Sequence, residues 1–425
     1  MFEDADSCLG STQADWGFAF HGEDAEVALS TAGSEVARVK TPLKVTHASD
    51  CSATAELQMD TTVAGALSVS GTLTSSSGTD IGAAIIELQQ QMAAIKAAGV
   101  VEAFSTIDIS SVVTANGKYA GAAAVGTSVI FAPHDEHNVG VLDTTTNSFT
   151  TIDTTAAGVD YAYAYWGAAA VGTRVFFAPC FEDNVGVYDT ATSTFSTIDI
   201  SSVVTADGKY AGAVAVGTVV IFAPHNVENV GVLDTTTSSF TTIDTAAAAV
   251  TGSGKYWGAA AVGTSVFFAP HGQFNVGVLD TTTNSFTAID ITGAGMAGSY
   301  YKYSGAVAVG TSVFFVPSEV DNVGVLDTTT NSFTTIGTTA SGVTAWPLYI
   351  GAVAVGTKIF FAPHNEDNVG VLDTTTNSFT TICDTTASGV NNDYKYRGTV
   401  AVGTKIFFAP CDEDNVGVLD TQWLA

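Results

Sequence analysis

Two columns of residues in this chain carry side chains able to do chemistry. Seven tyrosines (Tyr119, Tyr165, Tyr210, Tyr256, Tyr303, Tyr349 and Tyr396) recur about every 46 residues, and a lysine stands directly before five of them: Lys118, Lys209, Lys255, Lys302 and Lys395. Those five are more than half of the nine basic residues beyond residue 100. Ammonium groups set beside aromatic faces suit an acidic glycan, with Lys pairing to carboxylate or sulfate while Tyr stacks on sugar rings. Packing would use the same residues differently, with Tyr closing the top of each unit and the Lys stem lying over it towards a neighbouring Asp.

The second column follows a proline: His134, Cys180, His225, His271, Ser318, His364 and Cys411, trailed by acids such as Glu366-Asp367 and Asp412-Glu413-Asp414. Strands about 4.8 Å apart put equivalent strand ends of successive units roughly 10 Å or more from each other, too far for one ion to bridge. No metal site is assigned on this ground. An ion would have to sit within a single loop, where carboxylate oxygens favour calcium. Signatures of catalysis are missing: there is no Ser-His-Asp spacing, His-Glu-x-x-His or phosphate loop, and near-identical repetition places like groups together where active sites need unlike ones. The residues that break the repeat, Arg397, Trp346-Pro347, Phe181 and Phe274, compose no acid, base or nucleophile set.

The elements that must position these columns repeat seven times. A landmark Gly falls at 121, 167, 212, 258, 305, 351 and 398, and a landmark Asn seventeen residues after each; the stretch from Asn to the next Gly varies between 28 and 30. Length variation is thereby confined to one loop. In the unit at 255–301, Tyr256 to Val262 is small and apolar, as an innermost strand around a crowded axis must be. Ser265 to Pro270 reads as a second strand, Asn275 to Asp280 as an alternating third, and Ser285 to Ile289 as a fourth. The intervening Asp-Thr-Thr-Thr-Asn-Ser offers side chains that bond a tight hairpin. Four antiparallel strands per unit make one blade of a β-propeller. The last unit stops at Thr421 after its third strand, and an orphan strand, Phe104 to Ile109, precedes the first unit. The orphan therefore completes the last blade and closes a ring of seven with no free edge. The fold class is all-β.

The order of turn, aromatic strand, Gly-rich inner strand and aromatic second strand resembles the kelch family over residues 101–425. The stretches Asp143 to Phe149, Asp189 to Phe195 and Asp280 to Phe286 carry the likeness, each followed by Gly-Ala-x-Ala-Val-Gly. Ala-Pro pairs such as Ala132-Pro133 and Ala362-Pro363 stand where kelch repeats have Gly-Gly. The resemblance implies a propeller and leaves the partner open.

Composition narrows the function further. With 13 Lys plus Arg against 42 Asp plus Glu, the net charge is −29, a field that repels nucleic-acid backbones and anionic membranes. The start, Met-Phe-Glu-Asp-Ala-Asp, lacks a signal peptide's basic-then-apolar pattern, and no run of eighteen apolar residues is present to span a bilayer. Five cysteines follow no metal-ligand spacing; Cys8 with Cys51, or Cys383 with Cys411, are pairs that oxidation would allow, and no disulfide framework is implied.

Ahead of the repeats, residues 1–50 read as an irregular, polar segment suited to docking into a larger assembly. Residues 51–100 read as a short β stalk followed by a helix over 81–98, begun by Asp80 and ended by Gly99. Ile81, Ile85, Leu88, Met92 and Ile95 step four, three, four, three, a coiled-coil seam whose isoleucines lean towards three strands. Such a stalk resembles the stalks of trimeric viral and phage fibres; the other reading folds the helix back on its own propeller. The resulting expectation is a non-catalytic appendage at a virion or cell surface, homotrimeric through residues 51–98, presenting a face to a glycan or protein. It has no cofactor, no nucleic-acid partner and no membrane span. The competing readings are a propeller lyase or hydrolase acting on polysaccharide and an intracellular kelch-like scaffold.

Overall fold

The computed structural model describes residues 104–159, 162–294, 300–343 and 346–424, together with the backbone of five strands between residues 16 and 57. The chain divides into two compact units, residues 103–421 and residues 1–102 with 422–425. The first is a seven-bladed propeller of four-stranded antiparallel sheets. Six blades are continuous: 119–153, 165–199, 210–244, 256–290, 303–337 and 349–384. The seventh joins Tyr396–Val402, Lys405–Pro410 and Asn415–Asp420 to Phe104–Asp108, with Asn415 opposite Asp108 and Leu419 opposite Phe104. The orphan strand read from the sequence thus seals the ring.

Each blade is built around three aromatics on one glycine. In blade 1 the rings of Tyr119, Phe131 and Phe149 lie 5.7–6.2 Å apart. A Cβ on Gly140 would come within 2.9 Å of both Phe149 Cζ and Tyr119 Cζ, so the Gly of Asn-Val-Gly-Val is where the rings rest. Phe104 fills this role in blade 7, 6.4 Å from Tyr396 and 5.9 Å from Phe408. The Phe-Phe pair of the second strand serves two cores because successive strand residues point to opposite faces. Phe177 packs into the core between blades 1 and 2, and Phe176 into that between blades 2 and 3. A strand covered on both faces reads as a continuous apolar run, which is why Val-Phe-Phe-Ala does not alternate.

The axis is closed by backbone. A Cβ on Gly121, Gly167, Gly212, Gly258, Gly351 or Gly398 would fall 2.6–2.9 Å from the next ring glycine's Cα, and Gly398 meets Gly121. The seven adopt φ between +84° and +139°, a region L residues enter only with strain. A register shift, as between Tyr119 and Ala122, marks the bulge that brings each of them inward.

On the opposite side, the Asp-Thr-Thr-Thr turns form as the sequence implies. Asp143 Oδ1 accepts from the Thr145 amide at 2.8 Å and hydroxyl at 2.6 Å, and Asn147 takes φ 56°. Those hydrogen bonds hold the Asp143 carboxyl below the usual carboxylate range.

In the other unit, Trp16–His21, Glu26–Thr31 and Ser34–Lys40 form a three-stranded antiparallel sheet, and Leu43–His47 pairs with Ala53–Leu57. Residues 1–50, read from sequence as irregular, therefore carry strands; short β-branched and apolar runs such as Val27-Ala28-Leu29 were the available signal. The helix over 81–98 and its seam of Ile81, Ile85, Leu88, Met92 and Ile95 lie outside the described residues, as does most of the expected stalk. Cys180, Cys383 and Cys411 carry no disulfide.

Candidate ligand-binding mouth on the propeller axis

The two sequence columns meet at the seams between blades. All seven tyrosines are fully buried. Each donates its hydroxyl to the landmark Asn of its own blade, as Tyr119 does to Asn138 Oδ1 at 2.6 Å and Tyr303 to Asn322 Oδ1 at 2.7 Å. Asn138 in turn donates to Glu136 Oε2 at 2.9 Å. Burial drives the tyrosine pKa values well above the ordinary range. In this arrangement the rings are blade packing and present no face for a sugar to stack on.

The five lysines are buried as well. Lys118 pairs with Asp414 at 2.8 Å, Lys209 with Asp183 at 2.7 Å and Lys395 with Asp367 at 2.9 Å, each reaching the acidic loop of the preceding blade. Lys302 lies 3.8 Å from the centre of the Phe274 ring and Lys255 donates to the Gly252 carbonyl. Burial pulls the ammoniums of Lys255 and Lys302 down to about 8. The residue before each Tyr also donates its amide across the seam, from Ala164 to the His134 carbonyl at 2.9 Å and, at closure, from Lys118 to the Cys411 carbonyl at 3.0 Å. Lysine and tyrosine thus join one blade to itself and to the next.

Histidines of successive blades come closer than the roughly 10 Å that strand spacing alone implies, the rings of His225 and His271 lying 6.2 Å apart. His271 Nδ1 lies 3.0 Å from the Tyr303 carbonyl of the following blade, and His364 Nδ1 3.0 Å from that of Tyr396. A carbonyl only accepts, so Nδ1 carries the proton and Nε2 is left an acceptor. Burial, above all, depresses both rings to about 3 and His225 to about 4. All three are neutral at pH 7.

Here they meet a feature absent from the sequence reading. The residue after each tyrosine is Ala120, Trp166, Ala211, Trp257, Ser304, Ile350 or Arg397. Trp166 and Trp257 belong to blades 2 and 4, yet their rings are 4.2 Å apart. Side chains from alternate blades touch only near the axis, so the pair tilts together across the small Ala211 of blade 3. His134 stacks 5.7 Å from Trp166, His225 lies 5.6 Å from Trp166 and 5.8 Å from Trp257, and His271 lies 4.8 Å from Trp257. Arg397 Nη1 approaches His134 Nε2 at 3.5 Å. Outside this cluster stand the exposed rings of Tyr163, Tyr301 and Tyr394, 4.8 Å from His134, 4.8 Å from His271 and 5.1 Å from His364. Four atoms of the inner strands, Trp166 Nε1, Ser304 Oγ, Arg397 Nε and Thr399 Oγ1, are buried with no hydrogen-bond partner. Comparing the seven residues that precede the ring glycines would have exposed the cluster, since Trp, Trp and Arg stand in a column otherwise made of Ala, Ser and Ile.

Farther out, two open grooves are lined by acids and turn residues, one by Phe181, Glu182, Asp183, Asp199 and Asp207 and one by Asp367, Asp384 and Thr386. Among the described residues no group of three or more His, Cys, Asp or Glu is placed to hold a metal ion, and no helix is long and apolar enough to cross a membrane.

No protein-family model and no curated protein sequence matches the chain. Solved structures match it in fold. The WD40 repeats of RRP9 superpose with a TM-score of 0.56 at 10% identity, over 75% of this chain and 97% of that one. Hydrazine synthase of Kuenenia stuttgartiensis gives 0.54 at 13% identity, over 73% and 97%. PorZ, a bacterial surface component of the type-IX secretion system of Porphyromonas gingivalis, gives 0.51 at 12% identity, over 75% of this chain and 38% of that one. At such identities the likeness is one of fold, shared by an enzyme and a surface component alike. The chain is a seven-bladed β-propeller of four-stranded antiparallel blades, with WD40 propellers and surface components among its structural neighbours.

Proposed function

We propose that this protein is a non-catalytic recognition propeller, a surface attachment or structural appendage of a virion or cell that presents the axial mouth to a glycan. The observation that carries this reading is the meeting of unlike side chains from five blades, Trp166, His225, Trp257, His134 and Arg397, where the inner-strand column departs from the repeat. Aromatic surface beside a few directed polar groups is a recurring feature of small-ligand sites. Burial holds His225 and His271 neutral, and the tyrosines and lysines are engaged in the seams, so the mouth supplies stacking and hydrogen bonding in place of an activated nucleophile. The kelch-like repeat supplies the frame. A homotrimeric stalk over residues 51–98 would multiply a weak contact through effective concentration, with the N-terminus joining a larger assembly. An array of neutral and acidic glycans probed with the full chain tests the reading. Retention without product release supports recognition, and release of shortened sugars identifies a polysaccharide lyase or hydrolase instead.

A further inference from the structure

We infer that the axial mouth is a subsite for one carboxylate-bearing pyranose, a uronic-acid residue of an acidic polysaccharide. This inference rests on the glycan-recognition reading and names its ligand class. Trp166 and Trp257 are half-buried and adjoin at 4.2 Å, offering partly exposed ring surface to the C–H face of a sugar. Arg397 is the charged member of the circle. Its Nη1 is held by His134 at 3.5 Å while Nε has no partner, and Nε with the other terminal nitrogen forms the edge that pairs a carboxylate in two hydrogen bonds. Ser304, 2% exposed, has an unpartnered hydroxyl at the same level of the inner strands, as Trp166 has an unpartnered indole N–H. A buried donor left without a partner is costly, and three of them on one ring of residues are donors that a sugar's carboxylate and hydroxyls would satisfy.

A cationic ligand fits this circle less well, since Arg397 repels it; the one carboxylate close by, Asp135, lies 3.3 Å from His134 Nδ1 and already interacts with Arg397, so an acidic sugar competes with it for the guanidinium. The body's net charge of −29 opposes an anion, but at physiological salt the Debye length is about 8 Å, so distant acids are screened and the contact with Arg397 is not. The donors are covered in the resting structure. Occupancy therefore includes a rotamer step of Trp166 or Arg397, a fast motion for half-exposed side chains.

The test measures binding of a galacturonate tetrasaccharide and its carboxyl-reduced counterpart to the full chain by calorimetry, with R397Q and W257A as variants and far-ultraviolet circular dichroism as the folding control. A charge-assisted hydrogen bond lost at R397Q should weaken the acidic sugar by about tenfold or more and leave the reduced sugar unchanged; W257A should weaken both. Equal binding of the two sugars by the native protein, or R397Q binding the acidic sugar as the native protein does, overturns the inference. Glycans retained on the array with W257A unaffected overturn it too, while leaving glycan recognition standing. Failure of every glycan to bind removes both. R397K separates charge from geometry: Lys keeps the charge and lacks the planar fork, so it should restore only part of the acidic preference.

Discussion

Substituting Gly212 by alanine tests whether the axis is closed by backbone against backbone. A Cβ at this position would stand 2.6 Å from Gly258 Cα and 3.0 Å from Gly258 N, where carbon contacts settle near 3.5–4.0 Å. Because the obstacle is main chain, it cannot rotate away; neighbouring blades would have to separate by about an ångström around the ring. Gly212 also holds φ +111°, a strain of about 1–3 kcal/mol for an L residue, and overpacking adds about 1–3 kcal/mol more. Gly217 is the control, since its φ is +61° and an added methyl group would meet nothing within 4 Å, so G217A should cost about 1–2 kcal/mol from left-handed backbone alone. We expect G212A to be the less stable by about 2–3 kcal/mol, the difference between the centres of those ranges, a shift of urea midpoint on the order of 1 M. Equilibrium unfolding followed by near-ultraviolet circular dichroism reads it. Midpoints for the two variants that agree within about 0.3 M would show that the ring glycines do not touch.

Other consequences follow from the seams and the closing strand. Phe104→Ala removes one ring of the blade 7 triad, 1% exposed, and should cost about 3–5 kcal/mol; a loss under about 1 kcal/mol in thermal or urea unfolding would detach residues 104–108 from the core. Tyr119→Phe leaves Asn138 Oδ1 without its 2.6 Å donor and should cost about 1–3 kcal/mol, seen as a lowered urea midpoint. His271 and His364 bind protons in the folded protein only near pH 3, whereas the unfolded chain protonates them near 6.5, so the unfolded state holds more protons between those values. Stability should therefore fall as pH drops from about 6.5 towards 3, by about 1.4 kcal/mol per pH unit for each histidine; H364Q should reduce that slope, and an unchanged slope would refute the buried neutral ring. Light scattering of the full chain beside L88D addresses the proposed stalk: a trimer reduced to monomer supports it, and equal monomer masses remove it.

The sequence alone determined the frame of this protein. Seven Gly–Asn intervals of constant length, Val-Phe-Phe-Ala runs and Asp-Thr-Thr-Thr turns specify hydrogen bonds and side-chain faces within about forty residues, so the blades were legible locally. The truncated last unit with the stray strand at 104–109 even disclosed how the circle closes. Tertiary structure decided the rest. Whether Tyr119 and Lys118 face solvent or a seam depends on how tightly one blade leans on its neighbour, and the neighbour's Asp414 lies almost three hundred residues away. The encounter of Trp166 with Trp257 across an intervening blade depends on the radius at which seven sheets close. That radius is set by glycine backbones in contact around the axis, a distance no periodicity records.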